Sequence, residues 1–253
     1  RSRRPVGVPS ATRTTRGATM SEPTDGADGP RATGGAPSDG ESGEASSGRT
    51  SYLRAVREGY DELARVHREA RTAVSEPGID HVDAVARDVP DGARVLDAGC
   101  GTGVPVLSRF DLAFDVVGLD LSREQLARAH ERSPTAGLVQ GDMTALPFAD
   151  GAFAGLVALH SIIHVPREAH AAVYREFHRV LADGAPALVT TGTDAYEGGT
   201  PNWLGSGVEM HWSFPSTAST LASLRAAGFT VEDETRVPDE HGGGEFLFVR
   251  VRA

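Results

Sequence analysis

From Tyr52 onward the apolar residues fall into short clusters separated by Gly, Pro and Asp, and their spacing changes from one cluster to the next. Leu53, Val56, Tyr60, Leu63 and His67 recur at intervals of three and four, which predicts an amphipathic helix from Tyr52 to about Ala73. A second short helix, Ile79 to Val89, runs into the turn Pro90-Asp91-Gly92. Strands follow, most of them apolar runs of the kind covered on both faces: Arg94 to Leu96, Asp115 to Leu119, a short strand and turn over Leu138 to Met143, Phe153 to Leu159 and Ala187 to Thr191. Helical spacing separates them. Val104 to Phe110 starts one helix, with Pro105 tolerated in its first turn. Ser122 caps another, with Gln125 three residues on in a capping-box pattern. Pro166 opens a third, which carries Ala169, Val173, Phe177 and Val180 on one face and closes at Gly184. Ser216 or Thr217 caps a helix ending at Gly228, and two strands, Phe229 to Val237 and Glu245 to Val251, flank the polar loop Asp239 to Gly244.

Two segments break this rhythm. Arg1 to about Gly48 holds almost no large apolar side chain, so it cannot offset the entropy of ordering and is expected to be a disordered tail (residues 1–48) ahead of one domain (residues 49–253). The first Met is Met20, which leads to the expectation of a translation start there. Gly192 to Pro215 is too long and too aromatic for a plain connector. It reads as a lid over an acceptor site built from Trp203, Met210, His211 and Trp212, or as a structural plug over the sheet edge.

The chemistry concentrates after the first strand, in Asp97-Ala98-Gly99-Cys100-Gly101-Thr102-Gly103. Glycines at alternate positions let the backbone take positive φ and approach a ligand without a Cβ in the way. A strand, a glycine loop and a helix start, in that order, form a nucleotide site in an open α/β sheet. Asp120 closes the second strand 21 residues after Gly99, where a carboxylate can accept both hydroxyls of a ribose. This spacing alone does not choose between dinucleotide and adenosyl ligands. The dinucleotide form needs Gly or Ala at position 104, and Val104 stands there.

Charge narrows the partners. The formal net charge is −10, and all 25 basic residues are Arg. An acidic, Lys-free chain without a basic patch argues against a nucleic-acid substrate, because phosphate contacts need clustered cations. No run reaches the apolar length of a membrane span. The single Cys100 excludes an internal disulfide and fits a reducing, cytoplasmic setting; as a nucleophile it lacks a base at any recognisable spacing.

The D-x-G-x-G-x-G run from Asp97 to Gly103, Asp120, Asp142-Met143 and the Leu146-Pro147-Phe148…Phe153 connector together resemble the class I S-adenosylmethionine-dependent methyltransferases. The small-molecule type, in the branch of the menaquinone and ubiquinone methylases, is the nearest in pattern. Tyr60-Asp61-Glu62-Leu63-Ala64 follows that family's opening Y-D-x-x-A helix, with His67 where a pocket Tyr often stands. The resemblance implies an α/β, Rossmann-like three-layer sandwich with a seven-stranded, mostly parallel sheet and an antiparallel C-terminal hairpin. It implies S-adenosyl-L-methionine as cofactor, with Asp97 toward its ammonium, Asp120 on the ribose, and Asp142 and Met143 at the adenine. Gly99, Cys100, Gly101, Thr102, Gly103, Leu121, Gln125, Leu159, His160 and His67 complete the expected cofactor shell.

His160 and His164 follow the fourth strand, where enzymes that methylate nucleic-acid amines carry D/N-P-P-Y/F. Four residues apart, they would share one face of a helical continuation near the departing methyl, as a general base or as pocket walls. No third ligand at a convincing interval supports a metal pair. The expectation is a methyltransferase, monomer or homodimer, acting on a small-molecule acceptor. Open alternatives are a non-catalytic donor-binding regulator, an NAD-dependent oxidoreductase, and an aminopropyl transferase, which should carry extra carboxylates where the two histidines stand.

Overall fold

The computed structural model describes residues 41–66, 78–203, 206–238 and 244–253. The expected tail up to residue 40, His67 and the rest of the first helix to residue 73, and most of the loop 239–244 lie outside the described residues.

Six helices and nine strands are described. Helix α1 spans Glu41–Val66, α2 Ile79–Asp88, α3 Val106–Phe110, α4 Arg123–Arg132, α5 His170–Val180 and α6 Thr217–Ala226. The strands are β1 Arg94–Ala98, β2 Asp115–Asp120, β3 Gly137–Gln140, β4 Gly155–Ala158, β5 Pro186–Gly192, β6 Tyr196–Thr200, β7 Met210–Phe214, β8 Thr230–Pro238 and β9 Glu245–Arg252. Helix α1 begins upstream of Tyr52, inside the segment expected to lack structure.

Seven strands form one sheet in the order β3-β2-β1-β4-β5-β9-β8. The first five pair in parallel; β9 lies antiparallel between β5 and β8. Strands β4 and β5 are buried at every residue, because helices cover both faces of the sheet. Side chains alternate between the two faces. Leu96 and Ala98 join Val117, Leu119 and the apolar face of α5 in one core, whereas Val95 joins Val116, Phe110 and Leu126 in the other. Asp97, one step from each neighbour, points into the second layer.

Helix α5 realises its predicted face, with Val173, Phe177 and Val180 fully buried. It starts from a 3-10 turn, Arg167–Ala169, and ends at Val180 rather than Gly184, because Leu181 turns extended to bridge Phe153. The outer strand β8 alternates exposed and half-buried residues and carries Glu232, Asp233 and Glu234, charges that discourage pairing along an open edge.

The segment after β5 is not an irregular loop. Strands β6 and β7 pair antiparallel as a separate two-stranded sheet. Met210, Trp212 and Phe214 cluster with Leu63 of α1 and Ile163, so the hairpin and α1 form a cap. Gly192 makes room for it: a Cβ there would lie 2.0 Å from the Phe214 ring.

Candidate active site

The carboxyl ends of β1 to β4 define the site, as expected where parallel strands meet their crossover helices. The loop after β1 is pinned from behind. Gly99 and Cys100 donate their N–H groups to Leu119 O at 2.7 and 3.0 Å, and Gly101 N donates to Asp120 Oδ2 at 2.8 Å. The other Asp120 oxygen accepts from Ser122 N at 2.8 Å. Asp120 therefore fixes the loop and the start of α4 together while its partly buried carboxylate remains at the rim of the site.

The alternate glycines have different jobs. Gly99, at φ +85°, has no space for a side chain: a Cβ would lie 2.2 Å from Ser161 Cβ. Ser161 is held there by donating to Ala98 O at 2.6 Å. Gly103, at φ +83°, lets Ala129 of α4 pack close. Gly101, at φ +53°, would put a Cβ into open space, which leaves its backbone open to approach. Gly99→Ala is therefore expected to destabilise the fold, whereas Gly101→Ala keeps a Tm near wild type, at a backbone cost of about 1 kcal/mol, and loses ligand affinity. Thermal melts and calorimetric titration of both variants check this.

Asp97 is 2% exposed. Burial first, and the Asp120 carboxylate second, push its carboxyl well above the usual carboxylate range. Among the described residues no Arg or His is ion-paired with it. Asp120 is raised to about 6, chiefly by burial, against hydrogen bonds from Ser122 and Gly101 that favour its charge. Two inward carboxylates sit on neighbouring strands, an arrangement that a cation at the site would relieve.

Asp142 follows β3, half-buried, and its Oδ1 accepts from Thr144 N at 2.9 Å. Met143 reaches across to the loop, its Cε 3.4 Å from where a Gly99 Cβ would be. Thr102 and Leu121 lie half-buried at the loop and the β2 end, and Leu159 lies half-buried after β4. Two expected members present something other than their side chains. Cys100 turns its sulfur behind the loop toward Gly118, where burial raises the thiol, so only its backbone belongs to the site. Gln125 is 7% exposed and points to α1, its Nε2 3.5 Å from Tyr60 O. The capping box is half-formed: Ser122 Oγ accepts from Gln125 N, but Asp120 takes the Ser122 N–H that the Gln side chain would have bound.

The two histidines do not share a helical face. His160 takes φ +51°, and a 3-10 turn, Ile162–His164, follows in place of an α-helix. His160 N donates to Thr190 Oγ1 and its ring packs on Phe246 and Phe248 of β9, at 4.4 and 5.6 Å between centroids. His164 turns the other way, into the cap. Its Nδ1 lies 2.7 Å from His211 O, and its Nε2 lies 2.7 Å from Tyr60 Oη. A carbonyl oxygen only accepts, so Nδ1 carries the proton and Tyr60 donates to a bare Nε2. Burial pushes His164 down to about 4. The unfolded chain therefore binds a proton that the folded chain refuses between pH 6.5 and 4. His164 contributes stability above pH 6.5 that is lost as pH falls, up to about 3 kcal/mol; Asp120, raised, contributes with the opposite sign over a similar window. Comparing His164→Gln with wild type by thermal melts from pH 7 to 4.5 isolates the histidine, and the variant is expected to lose less Tm on acidification.

Of the expected acceptor residues, Met210 and Trp212 are fully buried inside the cap, and Trp203 packs on Trp212 at 4.6 Å, half-buried. His211, half-buried beside Tyr52, faces outward from β7. Met210 and Trp212 hold the cap to α1, so Trp203 and His211 are left as the accessible pair. Among the described residues no three metal-ligating side chains converge.

The Tyr60-Asp61 pair acts beyond what its motif announced. As Tyr60 reaches His164 after β4, Asp61 accepts from Ser122 Oγ at 2.5 Å and from Glu124 N at 3.3 Å, after β2. Adjacent residues of α1 thus bind both sides of the site. Helical spacing placed Tyr60 on the apolar face but carried no sign of these polar partners, and it did not place Asp61 there.

Residues 95–184 match a family described as a methyltransferase domain. Cycloartenol-C-24-methyltransferase 1 of Oryza sativa subsp. japonica is 32% identical over 60% of this chain and 48% of its own length. The chain spans about half the length of the curated relatives it matches. In structure, an S-adenosylmethionine-dependent methyltransferase from Mesorhizobium loti is similar at a TM-score of 0.56 and 23% identity, over 70% of this chain and 97% of that one. The 1,6-didemethyltoxoflavin-N1-methyltransferase of Burkholderia thailandensis, solved with bound 1,6-didemethyltoxoflavin and S-adenosylhomocysteine, is similar at a TM-score of 0.58 and 19% identity, over 86% of this chain and 92% of that one. With the seven-stranded order and the glycine loop, residues 95–184 are similar to a methyltransferase domain, and the chain has the fold of the class I S-adenosylmethionine-dependent methyltransferases.

Proposed function

We propose that this protein transfers a methyl group from S-adenosylmethionine to a small-molecule acceptor. The carrying observation is Asp97, a carboxylate buried at the glycine loop without a cation among the described residues, which the donor's ammonium would satisfy. Asp120 at the β2 end would accept the ribose hydroxyls, Asp142 and Met143 would hold the adenine, and the open cradle at Gly101 admits the ligand to the backbone. S-adenosylmethionine supplies a methyl group already activated on a sulfonium. The chain's own part is to align an acceptor with it and to exclude water, and such orientation supplies on the order of 7–11 kcal/mol for well-placed reactants. The aromatic cap, with Trp203 and His211 at its accessible side, favours an uncharged or aromatic acceptor; a quinone-like or phenolic ring fits that description. A cytoplasmic location and a monomer or homodimer complete the proposal; no described helix is long and apolar enough to cross a membrane.

Calorimetry with S-adenosylmethionine, S-adenosylhomocysteine and NAD, on wild type and Asp120→Ala, tests the donor. Binding of both sulfur ligands, lost in the variant and absent for NAD, is expected; NAD binding alone would overturn the reading. Conversion of the donor to S-adenosylhomocysteine with phenols, quinones and amines then tests turnover. Binding without turnover across the panel would favour a donor-binding regulatory protein.

A further inference from the structure

The donor reading orders the site from adenine at β3, through ribose at β2, to the amino-acid end at β1. The reactive end of the ligand therefore falls toward the β1–β4 side, where the 3-10 turn carrying His164 begins. His164 cannot meet an acceptor itself. It is 7% exposed, and both ring nitrogens are engaged. Tyr60 stands in front of it, partly exposed, its ring perpendicular to the imidazole at 5.2 Å. The bond from Asp61 to Ser122 anchors that turn of α1 against the β2 side, so the Tyr60 hydroxyl is held across the end of β1. Leu63, one turn on, and Ile163, beside His164, give the same place an apolar wall.

We infer that Tyr60 receives the proton of the acceptor's hydroxyl while passing its own to His164, and hence that the acceptor is a weakly acidic hydroxyl compound on an apolar body, such as a phenol. This rests on the methyltransferase reading. The acceptor oxygen bonds to the methyl carbon as that carbon's bond to sulfur breaks, and the electron pair stays on sulfur. The acceptor's proton moves to Tyr60 Oη, and the proton on Tyr60 moves along the existing 2.7 Å bond to His164 Nε2. The imidazolium so formed keeps its Nδ1–H donated to His211 O, the partner that already fixes its tautomer. The extra proton returns through Tyr60 to solvent once product leaves. Tyr60 is the catalytic residue of this scheme; His164, acting through it, is a positioning residue and proton store.

The test compares p-cresol, whose proton must be removed, with 2,4-dinitrophenol, which is already ionised at neutral pH. Tyr60→Phe is expected to slow p-cresol methylation by roughly 10²-fold or more, within the range for a positioned acid–base group, and dinitrophenolate methylation by less than about threefold. His164→Gln can accept the Tyr60 hydrogen bond but not its proton, so it should show the same split with the fold intact. A readout free of turnover is ¹⁵N NMR of the His164 ring in the S-adenosylhomocysteine complex. Its Nε2 resonance should move on adding p-cresol to wild type and stay fixed in Tyr60→Phe. Equal losses for both phenols, no loss for either, or no methylation of any phenol by a wild type that binds S-adenosylhomocysteine would each overturn the inference. Failure to bind S-adenosylhomocysteine would overturn the donor reading itself.

Discussion

Binding of S-adenosylhomocysteine to the wild-type protein is expected to release a proton, and in Asp97→Asn that release disappears. Burial first, and Asp120 second, raise the proton affinity of the Asp97 carboxyl in the free protein. An ammonium placed against it restores the charged form, and the displaced proton goes to buffer. Calorimetry in buffers of different ionisation enthalpy reads the proton directly. Removing one partner of such a desolvated pair costs about 2–5 kcal/mol, so affinity should fall by about 30-fold or more. Methylthioadenosine, which lacks the amino-acid end, should bind both proteins alike. The unliganded variant should melt higher than wild type, because a neutral amide replaces a carboxyl whose ionisation burial and Asp120 both oppose. A site that holds two opposed carboxylates before its ligand arrives gives up stability for function. Proton release unchanged in Asp97→Asn would remove Asp97 from the ligand's cationic end.

Trp212→Ala is expected to be the most damaging change in the cap. The indole is 1% exposed and touches both the Trp203 ring and the His164 ring. Emptying such a site costs about 3–5 kcal/mol, a large part of the 5–15 kcal/mol that holds a domain together. The cap has a cluster of its own, distinct from the two cores that flank the sheet. Amide exchange should therefore accelerate most in α1 and in β6 and β7, and least in β4 and β5. A uniform acceleration across the sheet would show instead that cap and sheet unfold as one unit. Because β7 supplies the carbonyl that fixes the His164 tautomer, the variant also bears on the proton path: the Nδ1–H partner at His211 loosens with it.

The central strands were legible because they are mostly apolar runs, and the turns between them are marked by Gly, Asp and Pro. The glycine loop, Asp97, Asp120 and the Ser122 cap fall where local pattern puts them, since each is determined within a few residues of chain. The hairpin β6–β7 was half legible. Met210, Trp212 and Phe214 alternate with His211 and Ser213 in the period of a strand, but Tyr196-Glu197-Gly198-Gly199-Thr200 has no such pattern, and a strand without a visible partner reads as a loop. The histidine geometry was not legible at all. The left-handed turn at His160 is held by Thr190 and by the rings of β9, contacts made across the fold. Tyr60 and Asp61 were equally hidden, because spacing reveals which face of a helix is buried but not the hydroxyl or imidazole that awaits it.

The place of β9 carries a consequence for how the molecule is made. The strand is synthesised after every other member of the sheet, yet it sits between β5 and β8. Until residues 245–252 have left the ribosome, β5 presents an open ladder along a strand that the finished domain buries at all seven positions. The nascent chain thus displays its stickiest edge for the whole time needed to translate the 52 residues between β5 and β9, and early termination just before Glu245 would leave that edge open for good. Such a fragment would keep the entire glycine loop and every carboxylate of the donor site, and still be destined for aggregation or a chaperone rather than for a ligand.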